Sequence, residues 1–107
     1  FVFCLDIGHA EMQDIRTSSV EMIYAIKDKI QALHIHDNDL KGDYHATPFT
    51  MSVNYEPIVK ALKDIGYNGY LTLECDAHFN RGGYTAETVE EGVKTMYDSV
   101  KRLNEMF

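Results

Sequence analysis

The stretch Ile30-Gln31-Ala32-Leu33-His34-Ile35-His36-Asp37-Asn38-Asp39 decides how this chain reads. An apolar run bearing two alternate histidines ends in an acidic, turn-prone cluster, the pattern of a strand that delivers polar groups at its end. Residues two apart on a strand share a face, so Ala32, His34 and His36 point one way while Leu33 and Ile35 point the other. Taken alone, two such histidines fit a packed sheet with hydrogen-bonded imidazoles as well as they fit a ligand site. Their company favours ligands. Asp6-Ile7-Gly8-His9 stands upstream, and Asp43-Tyr44-His45 and Leu71-Thr72-Leu73-Glu74 stand downstream, each at or just after the end of a strand-like run. Together the four sites predict a metal centre assembled at one edge of a sheet.

Outward from that strand, the chain alternates strand and helix. Phe1 to Leu5 is a continuous apolar run, which predicts a strand buried on both faces of a parallel sheet, with Val2, Cys4 and Asp6 on one side. Gly8 lets the backbone turn, and His9 follows Asp6 closely enough for both to approach one ion. An Asp helix cap beside a surface His is the plainer reading of the same spacing. Ser18 with Glu21 fits a capping box, and Val20, Ile23, Tyr24, Ile26 and Ile30 follow at helical spacing. The helix should run about ten to twelve residues, a common helix length. It leads into the two-histidine strand, making a βαβ unit.

Leu40 to Val53 reads as loop, broken by Gly42 and Pro48, with Asp43 and His45 two apart within it. Asn54 is a good cap for a helix lined by Ile58, Val59, Ala61, Leu62 and Ile65 and closed by Gly66. Tyr70 to Asp76 is the third strand, with Tyr70, Thr72, Glu74 and Asp76 on one face. His78 to Gly83 is a polar loop containing Arg81, and a last helix is expected from Thr85 nearly to Phe107, with Val89, Val93, Met96, Val100 and Leu103 as its apolar stripe. Three strand–helix pairs in a row predict an α/β fold with parallel strands.

With 107 residues and 45% hydrophobic content the chain is one globular unit without disorder-like composition or an apolar run of membrane-spanning length. A formal charge of -7 argues against nucleic-acid and anionic-membrane partners. Cys4 and Cys75 lie inside strand-like runs and read as reduced, buried residues of a cytoplasmic protein. A start directly on a strand, with no initiator Met, suggests a cut end.

Four motifs taken together resemble the xylose-isomerase-like TIM-barrel superfamily, which holds sugar-phosphate isomerases and epimerases and apurinic endonuclease IV. They are Leu5-Asp6-Ile7-Gly8-His9-Ala10, His34-Ile35-His36-Asp37-Asn38, Asp43-Tyr44-His45, and Ile65-Gly66-Tyr67-Asn68-Gly69-Tyr70-Leu71-Thr72-Leu73-Glu74. Their order matches the family's sixth, seventh and eighth strands and covers essentially the whole chain. The resemblance implies that Asp6, His34 and Glu74 are metal ligands for Mn, Mg, Co or Zn, with Glu74 also exchanging the substrate proton. It implies substrate contacts at His9, His36, Asp43 and His45, of which His9, Asp43 and His45 match zinc ligands of the endonuclease. His36 as ligand, with His34 behind it, is the alternative register, because both share one face. The segment Pro48-Phe49-Thr50-Met51-Ser52 departs from the Gly-rich stretch usual in the family.

A complete barrel needs roughly 200 residues or more. The resemblance therefore implies the C-terminal three βα units of a barrel whose remaining glutamate ligand lies elsewhere. The implied activity is that of a metal-dependent sugar or sugar-phosphate isomerase or epimerase working through an enediolate. A zinc phosphodiesterase of the endonuclease kind is the second reading, and a non-catalytic half-barrel the third. A bare inner face and bare sheet edges predict self-association into a homo-oligomer.

Overall fold

The computed structural model describes residues 1–107. Three parallel strands, β1 (Phe3–Asp6), β2 (Ile30–Ile35) and β3 (Leu71–Leu73), lie side by side in that order. Between them run α1 (Ile7–Ala10), α2 (Ser19–Ile26) and α3 (Tyr55–Asp64), and after β3 come α4 (Ala77–Arg81) and α5 (Val89–Glu105). The expected α/β, parallel arrangement is therefore what the chain adopts. The register pairs Asp6 with His34, and His34 with Thr72, so residues of like parity from all three strands share one face.

Alternation then separates two environments. Leu5, Leu33 and Ile35 point into a core closed by Ile23 of α2, by Ile58, Val59, Ala61 and Leu62 of α3, and by Leu103 of α5. Cys4, Asp6, Ala32, His34 and Thr72 lie on the opposite face, which no helix covers. The helices that close the core end as their sequences dictate. Ser18 and Glu21 form the expected reciprocal capping box on α2. Gly66, at a φ of +72°, ends α3 by letting Tyr67 N–H reach the Leu62 carbonyl, a left-handed turn that favours glycine.

Several expectations are corrected. The first strand is not buried on both faces: β1 is an edge, Phe1, Val2 and Phe3 are exposed, and Cys4 is exposed rather than buried. A continuous apolar run looks the same whether a neighbouring strand covers it or not. Helix α2 has eight residues rather than ten to twelve. It stops at Lys27, whose φ of 55° leaves the helical region, and a 3₁₀ turn over Lys27–Lys29 leads into β2.

The third strand keeps only Leu71–Leu73 of the expected 70–76, and Tyr70 stays 88% exposed with no fourth strand beside it. Glu74 N–H still donates to the Ile35 carbonyl, so the ladder's alignment extends one residue past the strand. The expected loop at 78–83 contains α4, and the last helix starts at Val89, not Thr85, because Thr85 N–H is taken by the Thr88 hydroxyl in a local turn. Of the five-residue stripe expected on that helix, Leu103 alone is fully buried, while Val89 and Val93 remain exposed.

Candidate metal centre

The C-terminal ends of the strands bring every candidate residue to one place. Asp6 ends β1, and its Oδ1 accepts from His9 N–H at 2.9 Å, capping α1. The plain cap reading is thus present, and it also turns the His9 ring back so that Nδ1 lies 2.7 Å from Asp6 Oδ2. From β2, His34 Nδ1 stands 3.0 Å from Glu74 Oε2 and 3.9 Å from Asp6 Oδ2. His36 Nε2 stands 3.2 Å from Asp6 Oδ1. The loop supplies Asp43, whose Oδ1 lies 3.1 Å from His9 Nε2 and 2.9 Å from His45 Nε2.

Two donor sets emerge. Asp6, His36 and Glu74 form one, and His9, His36, Asp43 and His45 the other, with the offered atoms of each set within 4.8 Å of one another. Ligands on opposite sides of one ion, with bonds near 2.0–2.3 Å, stand up to about 4.6 Å apart. Both sets have the scale of a coordination shell. His36 belongs to both, while His34 flanks the carboxylates from the open face of the sheet.

His36 is the telling residue. It is fully buried, and neither ring nitrogen has a well-directed hydrogen bond, since the 3.2 Å approach to Asp6 is off the line that such a bond requires. Glu74 Oε2 is likewise buried and unsatisfied despite its 3.0 Å contact with His34. Unsatisfied buried groups are rare and costly. Three such atoms in one acidic cluster, all nitrogen or carboxylate oxygen, fit a divalent cation as the partner.

The surroundings hold His36 where it is. A Cβ on Gly8 would sit 2.2 Å from His36 Cε1, so that position excludes every side chain. Tyr55 donates its hydroxyl to the His36 carbonyl at 3.0 Å. On the other side the His45 ring stacks on His36 with centroids 4.2 Å apart, and His45 itself adopts a left-handed backbone, φ 47°.

That strained conformation is fixed by Asp37 and Asn38, which the sequence reading did not single out. Asp37 is fully buried and accepts from the backbone N–H groups of Asn38, Thr50, Met51 and Val53. Its own backbone bridges to Ala46, next to His45. Asn38 donates to the Gly8 carbonyl and accepts from Leu40 N–H. An acidic residue directly after a strand was the available signal, but nothing in sequence separates a buried loop anchor from a ligand. Asp76 also joins, with Oδ1 3.2 Å from His45 Nδ1. Its facing parity with Glu74 was legible.

Electrostatics follow from this crowding. Burial opposes ionisation of Asp6, yet the contact with His36, the His9 N–H and the His9 ring outweigh it and hold the carboxyl well below the usual carboxylate range. The hydrogen bond to Asp6 raises the pKa of His9, against a smaller opposing effect of burial, with Asp43 adding to the rise. Cys75 is no ligand candidate: burial pushes its thiol up to about 12, and Sγ points at the Ile35 carbonyl.

Comparison with known proteins agrees with this arrangement. The xylose isomerase-like TIM barrel family matches residues 1–103. The uncharacterized protein MJ1311 of Methanocaldococcus jannaschii is 33% identical over 69 residues, covering 64% of this chain and 24% of its own length. The uncharacterized protein y4fM of Sinorhizobium fredii is 32% identical over 71 residues, covering 66% of this chain and 22% of its own. The chain thus spans about a quarter of the length of these curated relatives. A parallel sheet with ligand-type side chains gathered at its C-terminal edge, and a family match over nearly every residue, lead to one assignment: the chain belongs to the xylose isomerase-like TIM barrel family.

Proposed function

We propose that this chain is the C-terminal part of a divalent-metal-dependent isomerase or epimerase acting on a sugar or sugar phosphate. The observation that carries the reading is the fully buried His36 with two unsatisfied ring nitrogens beside the unsatisfied Glu74 carboxylate oxygen and Asp6. Asp6, Glu74 and an imidazole of β2 would hold the ion, with a further ligand from the part of the relatives' length that lies outside this chain. When bound, a divalent ion polarises a carbonyl and stabilises the negative charge that develops as an adjacent carbon loses its proton.

The chain's own residues supply the rest. Glu74, whose side chain is 39% exposed at the strand end, would take and return a proton at a carbon held over the open face of the sheet. His9, raised towards its protonated form, bridges Asp6 and Asp43 through its two ring nitrogens and would hold both carboxylates in place beside a substrate. His45 and Asp43 close the cluster on the loop side. No helix is long and apolar enough to cross a membrane, and two free cysteines fit the reducing cytoplasm.

A zinc phosphodiesterase is favoured by one specific observation, the second donor set of three imidazoles and one carboxylate, His9, His36, His45 and Asp43. Nitrogen-rich sets suit zinc better than magnesium. The two readings separate in one pair of assays. Solvent deuterium entering ketose phosphates beside the carbonyl, with added Mn and lost in Glu74→Gln, supports the isomerase. Cleavage of an abasic-site oligonucleotide with added Zn, without such exchange, supports the phosphodiesterase. Neither activity makes the chain a non-catalytic half-barrel on its own.

A further inference from the structure

The turn Tyr67-Asn68-Gly69-Tyr70 joins α3 to β3 at the end of the sheet opposite the donor sets, and the metal reading leaves it without a role. Its glycine is required by packing. The Tyr67 ring lies against the core, and its hydroxyl crosses the turn to donate to the Tyr70 carbonyl at 2.9 Å. A Cβ on Gly69 would overlap that hydroxyl, sit 2.6 Å from Tyr67 Cζ and meet the Gln31 carbonyl oxygen at 3.0 Å. Relief would cost the Tyr67 bond and a shift of the β2 backbone, so position 69 excludes side chains.

The consequence is an asparagine followed by glycine in the open. Asn68 and Gly69 are both exposed, the Asn68 amide has no hydrogen-bond partner, and the Gly69 N–H is bonded to no carbonyl. The other asparagines are held. Asn38 is buried and donates to the Gly8 carbonyl, Asn54 caps α3, the Asn80 amide donates to Asp76, and Asn104 lies inside α5. Side chains follow all four, those of Asp39, Tyr55, Arg81 and Glu105.

The side-chain amide carbon of an asparagine is an electrophile that the next backbone nitrogen reaches by closing a five-membered ring. A following side chain crowds that approach, and hydrogen bonds hold the two groups apart. Neither protection exists at Asn68.

We propose that Asn68 is a self-modification site. The Gly69 nitrogen, on losing its proton, attacks Asn68 Cγ, the Cγ–Nδ2 bond breaks, and ammonia leaves with that proton. The resulting succinimide takes up one water. Opening at Cγ yields aspartate, whereas opening at the Asn68 backbone carbonyl yields isoaspartate, whose main chain runs through the former side chain and is one methylene longer. Either product adds a negative charge to a chain already at -7. Isoaspartate also bears a free α-carboxylate, the group that a protein-repair methyltransferase esterifies with S-adenosylmethionine. The register between β2 and β3 holds the strand beyond Tyr70, so the change is confined to the turn and is independent of the metal reading.

The test incubates the whole folded chain in oxygen-18 water at mildly alkaline pH, then follows the tryptic peptide 64–81, which carries both Asn68 and Asn80, by fragmentation mass spectrometry. Expected is one heavy oxygen at residue 68, with isoaspartate the major product, while Asn80, Asn54 and Asn104 stay unchanged. The folded rate should fall within about tenfold of the rate in urea, because the fold neither shields nor pins the two groups. Asn68→Ser should abolish methyl transfer from S-adenosylmethionine to the aged chain. No reaction at Asn68, equal reaction at Asn80 or Asn54, a folded rate far more than tenfold below that in urea, or methyl acceptance that survives Asn68→Ser would each overturn the proposal.

Discussion

At the scale of single residues the site depends on one glycine and one charged pair. Gly8 gives way to the His36 ring, and a methyl group there would overlap ring atoms at 2.2–2.4 Å. Gly8→Ala should therefore displace His36 and lower stability by about 1–3 kcal/mol, the usual cost of overpacking. Metal affinity should fall with it. Urea unfolding checks the first effect, and an unchanged midpoint would show that the ring has room to move.

The Asp6–His9 pair has a definite pH signature in the metal-free chain. The folded-state pKa of Asp6 is lowered, so its contribution is present above the ordinary carboxylate range and lost as pH falls towards the folded value. That of His9 is raised, so its contribution is full below the ordinary imidazole value and lost as pH rises through the folded one. The pair thus supports the fold best between roughly pH 4 and 6.5. His9 is 43% exposed, so the effect is small and screened by salt. Urea midpoints of wild type and His9→Asn should differ most inside that window and converge above it. A gap that widens with rising pH would contradict the pairing.

At the scale of elements, the loop over residues 40–53 is the part that sequence disclosed least. Periodicity showed where β2 and α3 begin, and facing parity brought Asp6, His34, His36 and Glu74 to one side, because these follow from strand and helix geometry alone. What holds Asp43 and His45 in reach is the Asp37 carboxylate under four backbone N–H groups, a tertiary arrangement with no periodic signature. The edge position of β1 and the helix α4 inside the expected loop at 78–83 escaped for a related reason: each depends on what lies beside it in space. Asp37→Asn replaces one acceptor oxygen by a donor facing N–H groups, and should lower stability by about 2–3 kcal/mol. Thermal unfolding measures this. A neutral result would mean that the loop is held by its flanking packing instead.

At the scale of the whole molecule, the three-stranded sheet has helices on one side only. Its other face carries the donor sets, and its edges carry exposed Phe1, Val2, Phe3 and Tyr70. Closed barrels have no such edges. Several hundred Å² of apolar surface left in water at about 25 cal/mol per Å² forgoes several kcal/mol, comparable with the stability of a small domain. The chain should therefore self-associate at micromolar concentration, through sheet edges or by packing two inner faces together. Sedimentation velocity decides it, and a folded monomer across that range would contradict the expectation.

If side chains from three strand ends hold one divalent cation, calorimetric titration of the 107-residue chain with Mn or Zn will register it. Saturable binding of micromolar or weaker affinity is expected, because a water must stand in for the ligand this chain does not supply. Asp6→Asn and Glu74→Gln should each weaken it by about tenfold or more, as the loss of a metal carboxylate requires. An absence of binding heat, or binding indifferent to both substitutions, would contradict the claim.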